Sequence, residues 1–228
     1  MVTIFIWALI LSGTQFMIQV SDKFGQGLLY DFLTGKYFNP VMEDRIFMFL
    51  DLKSSTLIAE RIGHHHFFRF LREVFKDITL PIMHHQGEIY QYVGDEVVIS
   101  WQMKHGTHQA NCISCFLAIN EKLSSLASTY QETFDAVPIF KAGLHHGRVT
   151  AGEIGVIKKD IVFSGDVLNT TARIQGQCNQ YDVRLIISED TLSLLKDQCN
   201  YSFKRLGTCK LRGREQEISL HTLIDVDM

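Results

Sequence analysis

RIFMFLD, residues 45–51, is an apolar run of strand length that ends directly on the acidic side chain of Asp51. A second such pattern, QYVGDEVV at residues 91–98, places Asp95 in the predicted turn of a hairpin. An unpaired carboxylate at the mouth of a buried strand costs free energy, and two that converge suit a divalent cation. Asp51 and Asp95 are therefore predicted metal ligands. Because Mg²⁺ prefers oxygen ligands and phosphate partners, they point to nucleotide chemistry.

A third motif lies downstream. SGDVLNTTAR, residues 164–173, has the pattern of a turn that opens a helix. Asn169 and Arg173 would share one face of that helix, one turn apart. A neutral donor beside a bidentate cation suits a ribose and a phosphate whose charge grows in the transition state. We predict phosphoryl transfer, with Asn169 and Arg173 as the catalytic residues.

Four segments together resemble the catalytic domain of the class III nucleotidyl cyclases, bacterial membrane-anchored type. They are FLDLKSST (49–56), VGD (93–95), GDVLNTTAR (165–173) and LRGR (211–214). Each motif is weak alone, but their order and spacing agree with the family over residues 45 to 224. The resemblance implies an adenylate cyclase that converts ATP to 3′,5′-cyclic AMP and pyrophosphate, by attack of the 3′-hydroxyl on the α-phosphate.

The resemblance also assigns the site residues. Two Mg²⁺ or Mn²⁺ ions per active site would be held by Asp51, Asp95 and the backbone carbonyl of Leu52. Asn169 would orient the ribose, and Arg173 would stabilise the α-phosphate. The remaining positions implied to contact the polyphosphate are Ser54, Ser55, Thr56, Arg184 and Arg212. Turn capping, helix capping and solvated arginines are the alternatives for these residues taken singly.

In the resembled family each site takes its metal aspartates from one subunit and its Asn and Arg from the other. A chain that carries both sets is predicted to be a homodimer with two equivalent composite sites.

Two positions that read the purine in this family depart from its pattern, because they hold Gln91 and Val162. Glutamine both donates and accepts hydrogen bonds but carries no charge, and valine does neither. Asp160 would share a strand face with Val162 and is a candidate for the missing acceptor.

Adenylate cyclase activity is the prediction. A guanylate or mixed-specificity cyclase and a non-catalytic dimeric signalling module are the alternatives, and a diguanylate cyclase lacks support from the turn motif.

The predicted fold class is α+β. Apolar spacing predicts a helix over residues 56–80 that ends at Pro81, a hairpin over 87–101 and a helix over 107–130. The order strand, helix, two strands, helix, strand is that of a ferredoxin-like βαββαβ core, here with additional C-terminal strands and helices and a preceding N-terminal apolar helix. The predicted divisions are a helix at 1–20, a connector at 21–44 and the catalytic domain at 45–228.

The composition and net charge of the chain limit the classes of partner that it is predicted to bind. The net charge of −3 without a long basic block argues against nucleic-acid binding. Five cysteines, an odd number, suggest a reducing compartment, and Cys112 and Cys115 are predicted to pack in the interior rather than bind zinc. The adjacent histidines at 64–66, 84–85 and 145–146 are predicted to be solvated or packed, because neighbouring side chains point in different directions.

Residues 1–20 contain no charged side chain, and this length just spans a bilayer. We predict a membrane helix that leaves the catalytic domain in the cytoplasm. Because Gln15 and Gln19 dilute the apolar run, a buried or coiled dimerisation helix is the alternative.

Overall fold

The structure, a computed structural model, describes residues 2–24, 35–157, 159–210 and 217–224, with side chains from residue 2 to 18 in the first range. Its strands are β1 (Val41–Leu52), β2 (Glu88–Val93), β3 (Glu96–Gln102), β4 (Phe140–Ile154), β5 (Asp160–Ser164), β6 (Leu185–Ser188), β7 (Phe203–Lys210) and β8 (Glu217–Leu223). Its helices are α1 (Val2–Phe24), α2 (Ser55–Ile62), α3 (His64–His84), α4 (Met103–Thr107), α5 (Asn111–Ser125), α6 (Ala127–Phe134), α7 (Asp166–Gly176), α8 (Cys178–Tyr181) and α9 (Glu189–Leu195).

The described strands form one sheet in the order β2-β3-β1-β4-β6-β8-β7, with β5 paired to β4. The first four strands stand in the order of a ferredoxin-like core, and the C-terminal strands extend that core beyond β4. β3 runs antiparallel to β1, whereas β6 runs parallel to β4. The predicted α+β fold class is confirmed.

Alternation along the central strands gives the sheet two different faces. Ile46, Met48 and Leu50 of β1 point into the main core, where helices α3 and α5 cover the sheet. The opposite face of β1 buries Phe47 and Phe49 and ends on Asp51. The metal-binding candidate therefore lies on the face away from the main core.

β4 repeats this alternation. Its core residues Phe140, Ala142 and Leu144 alternate with Lys141, Gly143 and His145. Lys141, Gly143 and His145 lie on the face of β4 that is turned towards α7. A Cβ atom added to Gly143 would lie 2.7 Å from Cα of Gln175 in α7. Gly143 thus permits close contact between helix and strand.

The predicted helix over 56–80 is wrong in two respects. It is divided at Gly63, whose φ of 81° lies outside the helical range, into α2 and α3. Pro81 does not end α3 but lies inside its last turn, and the helix continues to His84. Ile78 and Ile82 are fully buried on either side of the proline, and their packing offsets the lost backbone hydrogen bond.

The predicted helix over 107–130 is also interrupted. Gln109 and Ala110 both have φ of 49°, which separates α4 from α5, and Leu126 ends α5 with φ of −103°. The hairpin prediction is confirmed, with Gly94 and Asp95 in the turn between β2 and β3.

The chain divides into two compact units, one formed by residues 1–42 and 150–163 and the other by 43–149 and 164–228. In the first, α1 extends four residues beyond the predicted end at 20. No helix within the described residues combines the length and apolarity needed to cross a membrane, so the predicted membrane helix is not supported. The glutamines at 15 and 19 lower the hydropathy of this stretch. Residues 25–34 of the connector at 21–44 lie outside the described residues, and the predicted divisions of the chain stay predictions.

Gly143→Ala should destabilise the protein by roughly 1–3 kcal/mol, because the added methyl group forces α7 away from β4. Urea denaturation measures this loss. Gly176→Ala at the end of α7 is the matched control, since nothing lies within 4 Å of its Cβ position. The control should leave stability unchanged or raise it by up to about 1 kcal/mol. Equal stabilities for the two variants would contradict the close contact.

Candidate active site

Three carboxylates lie in the same region, where β1 ends beside the turn between β2 and β3. Asp51 is the penultimate residue of β1, and Asp95 lies in the turn. Glu96, the first residue of β3, stands directly opposite Asp51 in the antiparallel register. All three are half-buried. The two predicted metal ligands are therefore close neighbours, and a third acid lies next to them.

Burial and mutual repulsion disfavour the charged forms of these acids. Burial raises the pKa of Asp51, and the charge of Asp95 raises it further. Burial, followed by the charges of Asp51 and Asp95, raises the pKa of Glu96 to about 7. Each neighbour of like charge makes ionisation harder, so a divalent cation would relieve an unfavourable arrangement. The donor set fits Mg²⁺ or Mn²⁺, which prefer oxygen ligands.

Two further residues oppose this repulsion at Asp51. The amide side chain of nearby Gln175 lowers the pKa of Asp51, and the Lys141 charge lowers it by a smaller amount. Lys141 is only 5% exposed, and its Nζ donates to Asn179 Oδ1 at 2.7 Å. Sequence reasoning missed Glu96, Gln175 and Lys141. The cross-strand register would have identified Glu96, but no sequence pattern signalled the other two.

No three His, Cys, Asp or Glu side chains in the described part of the chain converge closely enough to hold a metal ion. Asp51 and Asp95 would therefore need other oxygen ligands. The Leu52 carbonyl, substrate phosphates and water are such ligands, and Mg²⁺ commonly keeps only one or two protein carboxylates. Leu52 itself is the last residue of β1, with its side chain buried in the main core.

Asn169 and Arg173 lie on α7 four residues apart, as predicted. Asn169 is exposed and Arg173 half-buried. The Arg173 charge acts on the thiol of Cys209 in β7, whereas the charged and polar groups that act on Asp51 are Asp95, Gln175 and Lys141. Arg173 and Asp51 thus have different electrostatic neighbours within one chain.

The predicted phosphate-binding segment begins α2. Ser54 is the N-cap residue with φ of 58°, a left-handed conformation, and its hydroxyl does not cap the helix. Ser55 and Thr56 form the first turn. The amides of that first turn are not satisfied by the Ser54 side chain, which leaves them suited to an anion. The phosphate role of Ser54, Ser55 and Thr56 stays a prediction.

The two arginines that were predicted to contact the polyphosphate differ in whether the structure describes them. Arg184 is half-buried, and its guanidinium donates to Asn120 Oδ1 and to the Phe140 carbonyl. These contacts occupy part of its hydrogen-bonding capacity within the domain. Arg212 lies outside the described residues. Both assignments stay predictions.

The predicted base-reading residues lie on two strands. Gln91 is exposed on β2, directly after an irregularity in its pairing with β3. Asp160 and Val162 occupy alternate positions of β5, so they share a strand face as expected. Their role toward a purine stays a prediction.

The cysteines singled out by the sequence are buried, whereas the histidines divide between exposed positions, at 64–66 and 84, and the buried His145. Cys112 and Cys115 are fully buried in the main core, and burial raises the pKa of the Cys112 thiol to about 12. His145 Nδ1 lies 2.7 Å from Ser188 Oγ, and burial lowers its pKa to about 4. Packing rather than zinc binding is the better description of this cysteine pair.

Comparison with known proteins decides the family. The family model described as "Adenylate and Guanylate cyclase catalytic domain" matches residues 40–225. The chain belongs to this family. Its resemblance to the class III nucleotidyl cyclases is thereby confirmed.

One curated relative and two solved structures extend this result. The chain is 35% identical over 221 residues to "Adenylate cyclase 2" of Rhizobium meliloti (strain 1021), covering 96% of this chain and 61% of that protein. A bacterial light-regulated adenylyl cyclase shares the fold, with a TM-score of 0.78 and 21% identity over 96% of this chain and 64% of the other. The adenylyl cyclase CyaB from P. aeruginosa gives a TM-score of 0.72 and 17% identity, covering 82% and 96% respectively. The chain thus spans less than two thirds of the first two relatives.

Glu96→Gln should reduce the pH dependence of stability in the metal-free protein. The folded pKa of Glu96, about 7, exceeds its ordinary value of 4.5, so the folded state favours the proton. The resulting stabilisation is complete below pH 4.5 and is lost as the pH rises through about 7. Melting temperatures measured in EDTA from pH 5 to 8 should therefore fall more steeply in the wild type, and the variant should be more stable at pH 8.

Glu121→Gln on the exposed side of α5 is the control, because it removes the same charge away from the carboxylate cluster. The control should follow the wild-type curve. Parallel curves for the wild type and Glu96→Gln would refute the raised pKa.

Proposed function

We propose that this domain is an adenylate cyclase that converts ATP to 3′,5′-cyclic AMP and pyrophosphate. The observation that carries the proposal is the pairing of Asp51 and Asp95 at one corner of the sheet, where burial and mutual repulsion favour a cation. Membership of the cyclase family supports the same reaction. The chemistry is in-line attack of the ribose 3′-hydroxyl on the α-phosphate.

Asp51, Asp95 and the Leu52 carbonyl are the groups that would hold two Mg²⁺ or Mn²⁺ ions. Such ions, when bound, lower the pKa of the 3′-hydroxyl and neutralise charge on the triphosphate. The chain's own contribution is to keep both carboxylates deprotonated and aligned. Gln175 and Lys141 favour the charged form of Asp51 and so serve that purpose. The first amides of α2, beside Ser54, Ser55 and Thr56, bind phosphate oxygens in this proposal.

Asn169 orients the ribose, and Arg173 stabilises the negative charge that grows on the α-phosphate. Their different surroundings from those of Asp51 support a site shared between two protomers. One protomer supplies the metal aspartates, and its partner supplies Asn169 and Arg173. Two-fold symmetry then creates two equivalent sites in a homodimer.

Base selection is the part of the proposal with a competing candidate. Gln91 can pair with adenine or guanine, because an amide both donates and accepts. Val162 offers no hydrogen bond, so Asp160 on the same strand face is the proposed acceptor for the adenine amino group. A mixed-specificity or guanylate cyclase is the second candidate, and the uncharged Gln91 is the observation that favours it.

Purified full-length protein supplied with Mn²⁺ should convert ATP to cyclic AMP, and GTP more slowly. Product is measured by chromatography with each nucleotide offered separately. Asp51→Ala should reduce turnover to background, because one metal ligand is lost. Asn169→Ala and Arg173→Ala should each lower kcat by roughly 100-fold or more.

Each result of this assay has a distinct meaning. Mostly cyclic GMP would retain the mechanism and overturn the base assignment. No product from a folded protein with either metal would favour the non-catalytic signalling module. Asp160→Ala tests the acceptor, since an unchanged ratio of ATP to GTP turnover would exclude Asp160 from base selection.

Composite sites predict complementation between two inactive variants. Asp51→Ala and Arg173→Ala, co-expressed with different affinity tags and purified through both, form a heterodimer with one intact site. Its turnover should recover to about half that of the wild-type dimer, while each homodimer stays inactive. Absence of recovery in a confirmed heterodimer would contradict the shared site.

A further inference from the structure

Asn120 is a polar side chain on the buried face of a core helix. It belongs to α5, and only 1% of its surface is exposed. Phe116 and Leu123, about one turn away on either side, are part of the main core. A buried amide costs free energy unless its hydrogen bonds are made. The partners of Asn120 therefore indicate why a polar residue occupies this position.

Both ends of the Asn120 amide have hydrogen-bond partners. Nδ2 donates to the Phe116 carbonyl, one turn earlier in α5, at 2.9 Å. Oδ1 accepts from Nη2 of Arg184, a residue 64 positions further along the chain. An arginine can only donate, so the two partners together fix the orientation of the amide. The core helix α5 thus holds the guanidinium group of the arginine that directly precedes β6.

Arg184 lies at the end of the sheet where the predicted phosphate-binding segment begins. The Ala142 amide in β4 donates to the Arg184 carbonyl at 2.8 Å. Two residues before β4 reaches Lys141, the Ile139 carbonyl accepts from the Lys53 amide, also at 2.8 Å. The start of β4 is therefore bonded on one side to the residue before β6 and on the other to the residue after β1. That residue after β1 is followed by the N-cap of α2.

The acceptors that hold Arg184 are uncharged. One is the Asn120 amide oxygen, and the other is the Phe140 carbonyl oxygen, 3.5 Å from Nε. Arg45 instead bonds two glutamates at 2.7 and 2.6 Å, and their charges offset its own. Burial lowers the pKa of Arg184, as expected for a cation partly removed from water. Its two contacts use two of the five N–H donors of a guanidinium group, so its charge and its other donors suit an anion.

We propose that Asn120 is a positioning residue that holds the Arg184 guanidinium in place to bind the triphosphate of the nucleotide. The inference rests on the proposed function, in which Arg184 contacts the polyphosphate. Asn120 lies in the core and acts through Arg184. An amide suits this task because it orients the guanidinium without offsetting its charge, whereas a carboxylate would form an ion pair.

Binding of inorganic tripolyphosphate tests this role, because the probe carries three phosphates without a base or a ribose. Calorimetric titration of the full chain with tripolyphosphate in the presence of Mn²⁺ gives the affinity. Arg184→Ala should weaken it by about 10–100-fold, as expected when hydrogen bonds to a charged group are lost. Asn120→Leu should weaken it by about 3–10-fold, because the guanidinium remains but is no longer fixed by its neighbour.

Asn111→Leu is the matched control for the leucine substitution. Asn111 begins the same helix, and its Nδ2 donates to the His105 carbonyl at 2.9 Å. The control therefore removes a comparable bond from an asparagine to a backbone carbonyl, but one that does not involve Arg184. It should lower the melting temperature and leave the tripolyphosphate affinity unchanged. Equal losses of affinity in the two leucine variants would show a general effect of α5, which overturns the positioning role.

Asn120→Asp keeps the shape of the side chain and tests the role should the leucine variant fail to fold. The new carboxylate pairs with Arg184 and offsets its charge, so the variant should bind tripolyphosphate about 3–10-fold more weakly than the wild type. A purely structural role predicts unchanged affinity, because the guanidinium still has an acceptor. Wild-type affinity in folded Asn120→Asp would overturn the proposal.

A double-variant cycle shows whether Asn120 acts through Arg184. Asn120→Leu added to Arg184→Ala should weaken tripolyphosphate binding no further than Arg184→Ala does, because the group that it positions is already missing. Losses that add in full would contradict the proposal. In turnover of ATP, Asn120→Leu should raise KM more than it lowers kcat, since the polyphosphate contact is already made in the ground state.

The proposed function and the role of Asn120 fail in distinguishable ways, because tripolyphosphate binding does not require turnover. A protein that binds tripolyphosphate with the expected losses in the variants but forms no cyclic nucleotide refutes the cyclase and retains Asn120 as the positioning residue of a phosphate site. A protein that forms cyclic AMP, and whose tripolyphosphate affinity is unchanged in Arg184→Ala, refutes the role of Asn120 alone.

Discussion

Repulsion among three carboxylates is the interaction around which the functional corner of this domain is organised. The antiparallel register of β1 and β3 places Glu96 opposite Asp51, and the turn between β2 and β3 adds Asp95. Partial burial of the group prevents water from screening the charges fully. The fold tolerates this cost because the rest of the sheet is well packed, and the proposed cations would offset the unfavourable charge.

Arg45 and Asp51, six residues apart on β1, are charged side chains with very different surroundings. At the start, Arg45 is 1% exposed but bonded to Glu43 at 2.7 Å, to Glu88 at 2.6 Å and to Ser100 at 2.9 Å. At the far end, Asp51 meets two acids and only partial compensation from Gln175 and Lys141. The first end is electrostatically complete within the protein, as structural ion pairs are. The second is suited to a ligand that supplies positive charge.

Packing on the second face of the sheet links structure to mechanism. Because residue 143 is glycine, α7 approaches β4 closely at Gln175, whose side chain lowers the pKa of Asp51. The same helix presents Asn169 and Arg173, so one element carries both a residue that acts on Asp51 and the two residues proposed to act on the substrate. A change in the position of α7 would therefore alter the surroundings of Asp51 as well as those of Asn169 and Arg173.

Local patterns were enough to predict the strands that end on Asp51 and Asp95, the turn between β2 and β3, the spacing of Asn169 and Arg173, and the βαββαβ order. Such features depend on the period of a strand or helix and on neighbours within a few residues. Interruptions at Gly63 and Ala110, and the persistence of α3 through Pro81, escaped prediction because long-range core packing decides whether a helix continues. Glu96, Gln175 and Lys141 were found only in the folded chain. Their interactions with Asp51 join segments 45 to 124 positions apart in the sequence, and only strand pairing and the approach of α7 to β4 bring such segments together.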